Sequence, residues 1–421
     1  MADSASIDLA QFERWYQQAG TPTVTARGSF DAGAGTYTLT LGQRPGEAAG
    51  ADAPPLHIPV AVGLLGPDGK DFELSIDGCR LEDEGRTAIL ELREKEQSFA
   101  FKNISAAPVP SILRRLSAPV RLETERPRSE LAFLAAHDSD AVNRWDAGQT
   151  LAQEILLELC EAEVKGHSWT LDPLFVEAWG KVLADGALDG SLKALALSLP
   201  AERQLGQEQS PVRPDELHKV RREVCRQLST AHREALEACY RENAQQKPYS
   251  SDKASIDRRR LAGLALSYLC ALEEPQYTAL AVKQFKEADN MTDAQTALAI
   301  LANIDAPERE ETLAAFYEKW KEDPLVLDKW FSVQAQSTLP KASERMRALE
   351  KHPDFTLQNP NRARSLVGVF AMGNQVSFHA ADGSGYEFLA DAVIELNKIN
   401  PQVASRMVSG FNSWRRFDSH R

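Results

Sequence analysis

The stretch at residues 117–127, Ser-Ala-Pro-Val-Arg-Leu-Glu-Thr-Glu-Arg-Pro, marks a change in the hydrophobic pattern of this chain. Before it, apolar residues recur at every second position, as in Thr36-Tyr-Thr-Leu-Thr-Leu41, which is typical of half-buried strands. After it, apolar residues recur at helical spacing, as in the stripe from Leu261 to Leu272. The change of period at Arg126-Pro127 therefore predicts a β domain followed by a large all-helical domain.

The β domain is expected over residues 21–124. Turn signals such as Gly66-Pro-Asp-Gly69 and Glu82-Asp-Glu-Gly85 separate its strand-length runs. Short strands interrupted this often predict an antiparallel β-sandwich of about six to eight strands. Ser117 to Glu123 would be its last strand.

The helical domain is expected over residues 127–421. Its helices follow one another with breaks at prolines, namely Pro275, Pro307, Pro324, Pro353, Pro360 and Pro401. Successive helices without intervening strands predict an α-solenoid or superhelical array. Thr292 with Gln295 has the spacing of a capping box, and Leu205 to Pro214 is predicted to be a flexible surface loop.

Residues 1–20 are predicted to form one short amphipathic helix. Ile7, Leu9, Phe12 and Trp15 would make its apolar face. Because nothing upstream could cover that face, we expect this helix to be the end of an element that the chain lacks.

Composition restricts the classes of partner. The 421 residues carry a formal net charge of -13, which argues against nucleic acid and against an anionic membrane surface. No apolar run is long enough to span a bilayer, and the first residues do not have the pattern of a signal peptide. The five scattered cysteines are typical of buried thiols in a reducing compartment, so a cytoplasmic location is expected.

No motif for independent catalysis is present. The eight histidines include no pair at helical spacing, and HExxH, GxSxG and GxxxxGK[ST] are absent. The glycine-rich Ala381 to Tyr386 is predicted to be a helix-to-helix turn with Asp382 as a cap. Four tryptophans at helical spacing are predicted to pack in the core, namely Trp145, Trp179, Trp320 and Trp330. We therefore assign no catalytic and no metal-binding residue.

Several long segments resemble the C-terminal half of the bacterial aminopeptidase N (alanyl aminopeptidase) family of zinc metallopeptidases of the gluzincin type. They are Phe12-Glu-Arg-Trp-Tyr-Gln-Gln-Ala-Gly-Thr-Pro22, Arg144-Trp-Asp-Ala-Gly-Gln149, Ala288-Asp-Asn-Met-Thr-Asp-Ala294, Leu325-Val-Leu-Asp-Lys-Trp-Phe331, Asn359-Pro-Asn-Arg-Ala-Arg-Ser-Leu366, Asp382-Gly-Ser-Gly-Tyr386 and Asn400-Pro-Gln-Val-Ala-Ser-Arg406. Their order and spacing cover nearly the whole chain.

The resemblance implies a longer parent enzyme that removes N-terminal residues from peptides. Residues 1–20 would be the last helix of its catalytic domain, residues 21–124 its β-sandwich, and residues 127–421 its helical cap, truncated at the C-terminus. The family's GxMEN and HExxH motifs are absent, so this chain would hold no cofactor and be inactive alone, while the parent would use zinc. The implied partners are the catalytic domain and peptides.

The resemblance also implies three substrate-binding residues. Arg364, Arg406 and Gln402 match cap positions that face the active site in the family. Arg364 and Arg406 should each lie in the first turns of a helix that begins at a proline. A guanidinium fork suits peptide carbonyls or a C-terminal carboxylate. The alternative for each arginine is an ordinary solvated or ion-paired helix residue.

The β-then-α order also fits a free-standing peptide- or protein-binding module. A further interpretation is a complete hydrolase of unknown type. The hydrolase is the weakest of the three interpretations because no nucleophile or metal group can be assembled. In a fragment, Met1 would be an internal or artificial start, and the helix at residues 7–18 should expose an apolar face. In a free-standing module that helix should be absorbed into the sandwich.

Overall fold

The structure is a computed structural model that describes residues 8–244 and 248–418. Its contacts divide the chain into two compact units. One contains the residues up to Leu151 together with Pro173–Val182, and the other contains Ala152–Asp172 and the residues from Leu183 onward.

Eight strands form two four-stranded sheets. They are β1 (Thr23–Asp31), β2 (Thr36–Arg44), β3 (Ile58–Leu65), β4 (Arg80–Glu82), β5 (Thr87–Leu92), β6 (Glu96–Phe101), β7 (Val109–Ile112) and β8 (Arg121–Glu123). The strand orders are β6-β2-β1-β8 and β4-β5-β3-β7. The alternation in β2 buries Tyr37, Leu39 and Leu41 in the core between the sheets.

The sandwich is not antiparallel throughout. Strand β8 runs parallel to β1, with Thr23 opposite Arg121, so the prediction was wrong at this edge. A hairpin forces antiparallel pairing, but β8 follows β7, which belongs to the other sheet. The crossover between the sheets sets the direction of β8.

The remainder of the described chain is helical. The helices are α1 (Arg128–His137), α2 (Ala141–Val164), α3 (Pro173–Ala184), α4 (Gly190–Leu197), α5 (Glu202–Leu205), α6 (Pro214–Ala231), α7 (Arg233–Asn243), α8 (Lys253–Cys270), α9 (Pro275–Glu287), α10 (Met291–Leu301), α11 (Pro307–Trp320), α12 (Pro324–Ala335), α13 (Ala342–Glu350), α14 (Pro360–Ala363), α15 (Val369–Gly373), α16 (Gln375–Phe378), α17 (Ser384–Ile399) and α18 (Pro401–Met407). A π-helical turn, Arg364–Gly368, joins α14 to α15.

Proline and short polar residues start many of these helices. Five of the six predicted proline breaks are first residues of a helix, namely Pro275, Pro307, Pro324, Pro360 and Pro401, where the missing N–H costs nothing. The predicted capping box was wrong. Asn290 caps α10 by accepting from the Asp293 N–H at 3.0 Å, and Thr292 is already inside the helix.

The predicted turn at Ala381 to Tyr386 is confirmed. Asp382 accepts a hydrogen bond from the Ser384 N–H at 2.9 Å, and Gly383 has a φ of +73°. Glycine is also needed at position 385, because a Cβ on Gly385 would lie 2.2 Å from the Phe378 carbonyl oxygen.

The N-terminal segment differs from the predicted helix. Only Phe12–Tyr16 is helical, as a 3₁₀ turn, and Ile7 lies outside the described residues. The Trp15 indole donates to the His57 carbonyl at 2.9 Å and packs against the sandwich core. Phe12 and Tyr16 stay exposed. Polar contacts with the sandwich, which helical periodicity cannot show, hold this segment.

The predicted flexible loop at Leu205 to Pro214 is anchored. Leu205, Gln209 and Val212 are buried. Val212 donates to the Arg416 carbonyl at 2.7 Å, and the Arg416 guanidinium donates to the Gly206 carbonyl at 3.1 Å. The prediction was wrong because the partners of this loop lie about two hundred residues later in the sequence.

The tryptophans divide between core and surface. Trp179 and Trp330 are buried as predicted, and the Trp330 indole donates to the Leu313 carbonyl at 2.9 Å. Trp145 is 37% exposed, so the prediction was wrong there. In the part of the chain that the structure describes, no helix has the length and apolar character needed to cross a membrane.

Candidate functional site

Arg364 lies at the surface near the start of a helix. Asn359 caps that helix, accepting from the Asn361 N–H at 3.0 Å, and Pro360 is its first residue. Arg364 is exposed, and its guanidinium donates to the Asn361 side-chain oxygen at 3.1 Å. The predicted position in the first turns is therefore confirmed.

Arg362, two residues earlier, has the opposite environment. It is buried, its Nε pairs with the Asp328 carboxylate, and its guanidinium lies 5.1 Å from the centre of the Phe331 ring. Of the two arginines in this segment, Arg362 is part of the interior and Arg364 is available to a ligand.

Arg406 and Gln402 share one face of α18. Asn400 caps the helix by accepting from the Val403 N–H at 3.2 Å. Gln402 and Arg406 are exposed, and their spacing of four residues places them on the same side. Val403 and Met407 are buried beneath them.

Arg364 and Arg406 lie on neighbouring helical segments of one compact unit. A Cβ on Gly368 would lie 3.4 Å from the Met407 sulfur and 3.7 Å from the Arg364 Cβ. The glycine therefore allows the side chain of Met407, which follows Arg406, to approach the turn that carries Arg364. Arg406 lies in the last turn of α18, so the predicted position at the start of this helix was wrong.

The helical unit also contains a cavity of about 980 Å³ that the sequence did not indicate. The ends of α8 and α10 and the starts of α9 and α11 contribute its wall. Ile300, Ile304 and Leu339 supply apolar surface, and Asp305 and Glu308 supply acidic groups. Arg222 and Glu273 line it as well, so its surface carries charges of both signs beside the apolar groups.

A buried ionic cluster lies in the other unit. The Arg114 guanidinium donates to Asp71 at 2.5 Å and lies 3.5 Å from Asp138. Its Nε donates to the Ser111 hydroxyl at 2.9 Å. Burial raises the pKa of Asp138 to about 6, although Arg114 acts in the opposite direction. The side chains of Arg114, Asp71 and Asp138 are all buried, so a substrate could not reach the cluster.

The described residues do not fit a zinc ion. Across residues 8–244 and 248–418, no group of three or more His, Cys, Asp or Glu side chains could hold a metal, whereas a catalytic zinc needs three protein ligands. No step of chemistry is assigned to this chain.

Two family models together cover almost the whole chain. Residues 20–125 match the family described as a domain of unknown function (DUF3458) with an Ig-like fold. Residues 128–421 match the family described as a domain of unknown function (DUF3458_C) with ARM repeats. The chain belongs to the DUF3458_C family, whose model covers residues 128–421. Both descriptions confirm the predicted order of a β-sandwich followed by a superhelical array.

Curated relatives of this DUF3458_C chain are bacterial aminopeptidases. It is 36% identical over 422 residues to aminopeptidase N of Escherichia coli K12, covering 100% of this chain and 48% of the relative. It is 37% identical over 417 residues to aminopeptidase N of Caulobacter vibrioides, covering 99% of this chain and 47% of the relative. The chain thus spans about half the length of these relatives, and it is homologous to the C-terminal portion of aminopeptidase N.

A solved structure agrees with the sequence relatives. Aminopeptidase A of Legionella pneumophila, crystallised in complex with aspartic acid, superposes with a TM-score of 0.82 at 27% identity, covering 100% of this chain and 47% of the other. The whole fold therefore occurs within an aminopeptidase.

Proposed function

We propose that this chain is the non-catalytic C-terminal portion of a zinc-dependent aminopeptidase that removes N-terminal residues from peptides. The observation that carries the proposal is the match of 36% identity along the whole chain to 48% of an aminopeptidase N. The described residues contain no group of three or more His, Cys, Asp or Glu side chains that could hold a metal, and in this proposal zinc and its chemistry belong to the other half. In this proposal the helical domain forms the cap and chamber that gate the active site.

The proposed substrate contacts are Arg364, Arg406 and Gln402. Both arginines are exposed on neighbouring helical segments, while the adjacent Arg362 is enclosed by an ion pair. Exposed guanidinium groups favour carbonyl oxygens and carboxylates as hydrogen-bond acceptors. They would hold the part of a peptide that lies beyond its N-terminal residues.

The setting proposed for the enzyme is peptide catabolism in the cytoplasm. The partners would be the catalytic domain of the same enzyme and its peptide substrates. The net charge of -13 is consistent with partners other than nucleic acid.

The test uses a chimaera in which this chain replaces the matching portion of Escherichia coli aminopeptidase N. We expect the 421-residue chain alone to cleave no aminoacyl-arylamide and the chimaera to do so. In the chimaera, Arg364→Ala or Arg406→Ala should weaken binding of longer peptides by about 1.5–3 kcal/mol through loss of a charge-assisted hydrogen bond. KM for longer peptides and for arylamides would be compared, and arylamides, which do not reach the cap, should change less.

A matched control is Arg226→Ala in the same chimaera. Arg226 is an exposed helical arginine that pairs with Glu223 and is outside the proposed site. An equal loss in this variant, or equal losses for long and short substrates, would refute the substrate role of Arg364 and Arg406.

The alternative function is a free-standing peptide- or protein-binding module. The attachment of Trp15 to the sandwich supports this alternative, whereas the exposure of Phe12 and Tyr16 supports the proposal of a C-terminal portion. An inactive, unstable chimaera, together with peptide binding by the isolated chain, would support this alternative.

A further inference from the structure

A second cavity lies wholly within the sandwich-containing unit. It has a volume of about 550 Å³. Strand β1 contributes Thr25 to Arg27, and the segment from Leu122 to Arg126 forms a second wall. Residues from α1 and from the first half of α2 complete it. We refer to this cavity as the strand–helix cleft.

Two opposite charges face the strand–helix cleft without pairing. Arg126 and Asp146 both line it, and neither forms an ion pair within residues 8–244 and 248–418. One Arg126 nitrogen donates to the Pro110 carbonyl at 2.9 Å, which leaves its other N–H groups for a ligand. Asp146 is exposed to solvent.

Arg126 is half-buried and Asp146 is exposed, and the protein around them shifts the pKa of each group, with Glu130 and Asp138 opposing the change at Arg126. Burial lowers the pKa of Arg126, and burial also raises the pKa of Asp146, with Arg126 opposing that rise. Charges held in such an environment gain from a partner of opposite sign.

The other charged groups of the cleft are engaged or peripheral. Glu123 pairs with Arg44, and Arg27 lies 3.8 Å from Glu96. Glu125 is exposed. Asp146 is exposed as well, so the charges of the cleft without an ion pair among the described residues are the half-buried Arg126 guanidinium and the carboxylates of Glu125 and Asp146.

The rest of the cleft surface is apolar, apart from one side-chain oxygen that can accept a hydrogen bond. Ile112, Leu122 and Leu131 provide the apolar part. The Asn143 amide donates both N–H groups, to the Ser111 hydroxyl and the Ile112 carbonyl, each at 2.9 Å. Its oxygen remains as an acceptor for a further donor.

We propose that the strand–helix cleft binds a zwitterionic α-amino acid or short peptide with an apolar side chain, its carboxylate on Arg126 and its ammonium group on Asp146. A simple anion would meet the repulsion of Asp146, and a simple cation that of Arg126. A zwitterion satisfies both, and its apolar side chain would cover the surface of Ile112, Leu122 and Leu131. This site is independent of the proposed function, because it uses only residues of the sandwich-containing unit.

The experiment is calorimetric titration of the full chain with L-leucine as the probe. We expect saturable binding at millimolar concentrations. N-acetyl-L-leucine lacks the ammonium group and L-leucinamide lacks the carboxylate, so each should bind about tenfold more weakly or worse. Leucine binding should fall by a similar factor in Arg126→Gln and in Asp146→Asn.

Three controls keep the interpretation specific. Gln at position 126 retains a donor for the Pro110 carbonyl, and circular dichroism would confirm the fold of each variant. Thr150→Phe should block the cleft without changing its charge. Arg80→Gln removes an exposed arginine elsewhere on the sandwich and should leave binding unchanged.

Several outcomes would overturn the proposal. They are absence of saturable binding by leucine, wild-type binding in Arg126→Gln or Asp146→Asn, and equal binding of N-acetyl-L-leucine. The arylamide activity of the chimaera tests the proposed function separately, since no residue of the strand–helix cleft is altered in it.

Discussion

Asp138 illustrates at the scale of one residue how burial changes a carboxyl group. It is 1% exposed, and one of its oxygens has no hydrogen-bond partner among the described residues. Its oxygen nearest to Arg114 is 3.5 Å away, whereas Asp71 is in direct hydrogen-bond contact with the same guanidinium. Asp138 therefore receives only part of the compensation that a buried charge needs.

We predict that Asp138 makes the protein less stable as pH rises from about 4 to about 6. Its pKa is raised from 3.8 to about 6 in the folded state, so the folded chain retains a proton that the unfolded chain has released. The Asp138→Asn variant should lack this decline. Its free energy of unfolding, relative to that of the natural protein, should therefore increase by on the order of 2 kcal/mol between pH 4 and pH 7. Thermal unfolding at several pH values would measure it.

The control for this prediction is Asp77→Asn. Asp77 is an exposed carboxylate that pairs with Lys102 on the same sandwich. A difference between Asp138→Asn and the natural protein that stays constant with pH would show that Asp138 does not titrate in this range.

At the scale of an element, the Asn-Pro pairs determine where two proposed substrate-binding helices begin. Asn359 and Asn400 each place a side-chain oxygen on free N–H groups of the first turn, and the following proline has no N–H to satisfy. Each arginine therefore projects from a helix whose start is well defined.

We predict that Asn400→Ala destabilises the helical unit by about 0.5–2 kcal/mol, since it removes the cap of α18. Hydrogen exchange of the amides of Val403 and its neighbours should accelerate. Asn397→Ala is the matched control, because Asn397 is exposed inside α17 and alanine is the better helix former. Equal effects of the two substitutions would show that the cap contributes nothing.

At the scale of the whole molecule, the compact units do not separate where the hydrophobic period changes. Helix α1 and the first part of α2 belong to the unit that contains the sandwich. The Arg115 N–H donates to Asp140 at 3.1 Å, and the Asn143 amide donates to the Ile112 carbonyl at 2.9 Å. These contacts make the helices part of the folded β unit.

We predict that residues 8–126 expressed alone unfold at a lower temperature than residues 8–151. The shorter piece lacks Asp138 and Asn143, and it exposes the apolar surface that Leu131 and Leu134 cover. Calorimetry would compare them, with residues 8–126 plus a glycine-serine tail of equal length as the control. Equal unfolding temperatures would show that α1 and α2 do not support the sandwich.

The sequence by itself determined the features that depend on neighbouring residues. The two hydrophobic periods on either side of Arg126-Pro127 specify strands and helices, because each period places apolar side chains on one face. Proline specifies helix starts through its own covalent geometry. For this reason the position of Arg364 shortly after a helix start could be predicted without a structure, whereas Arg406 lies in the last turn of its helix, which ends at Met407.

Only the tertiary structure decided the features that join distant residues. The parallel pairing of β8 depends on a crossover between sheets, and the anchored loop at Leu205 to Pro214 depends on Arg416. The strand–helix cleft unites Arg126 and Asp146 from a linker and a helix. Such contacts arise from the path of the chain through space, and a local hydrophobic period contains no information about which remote residue completes them.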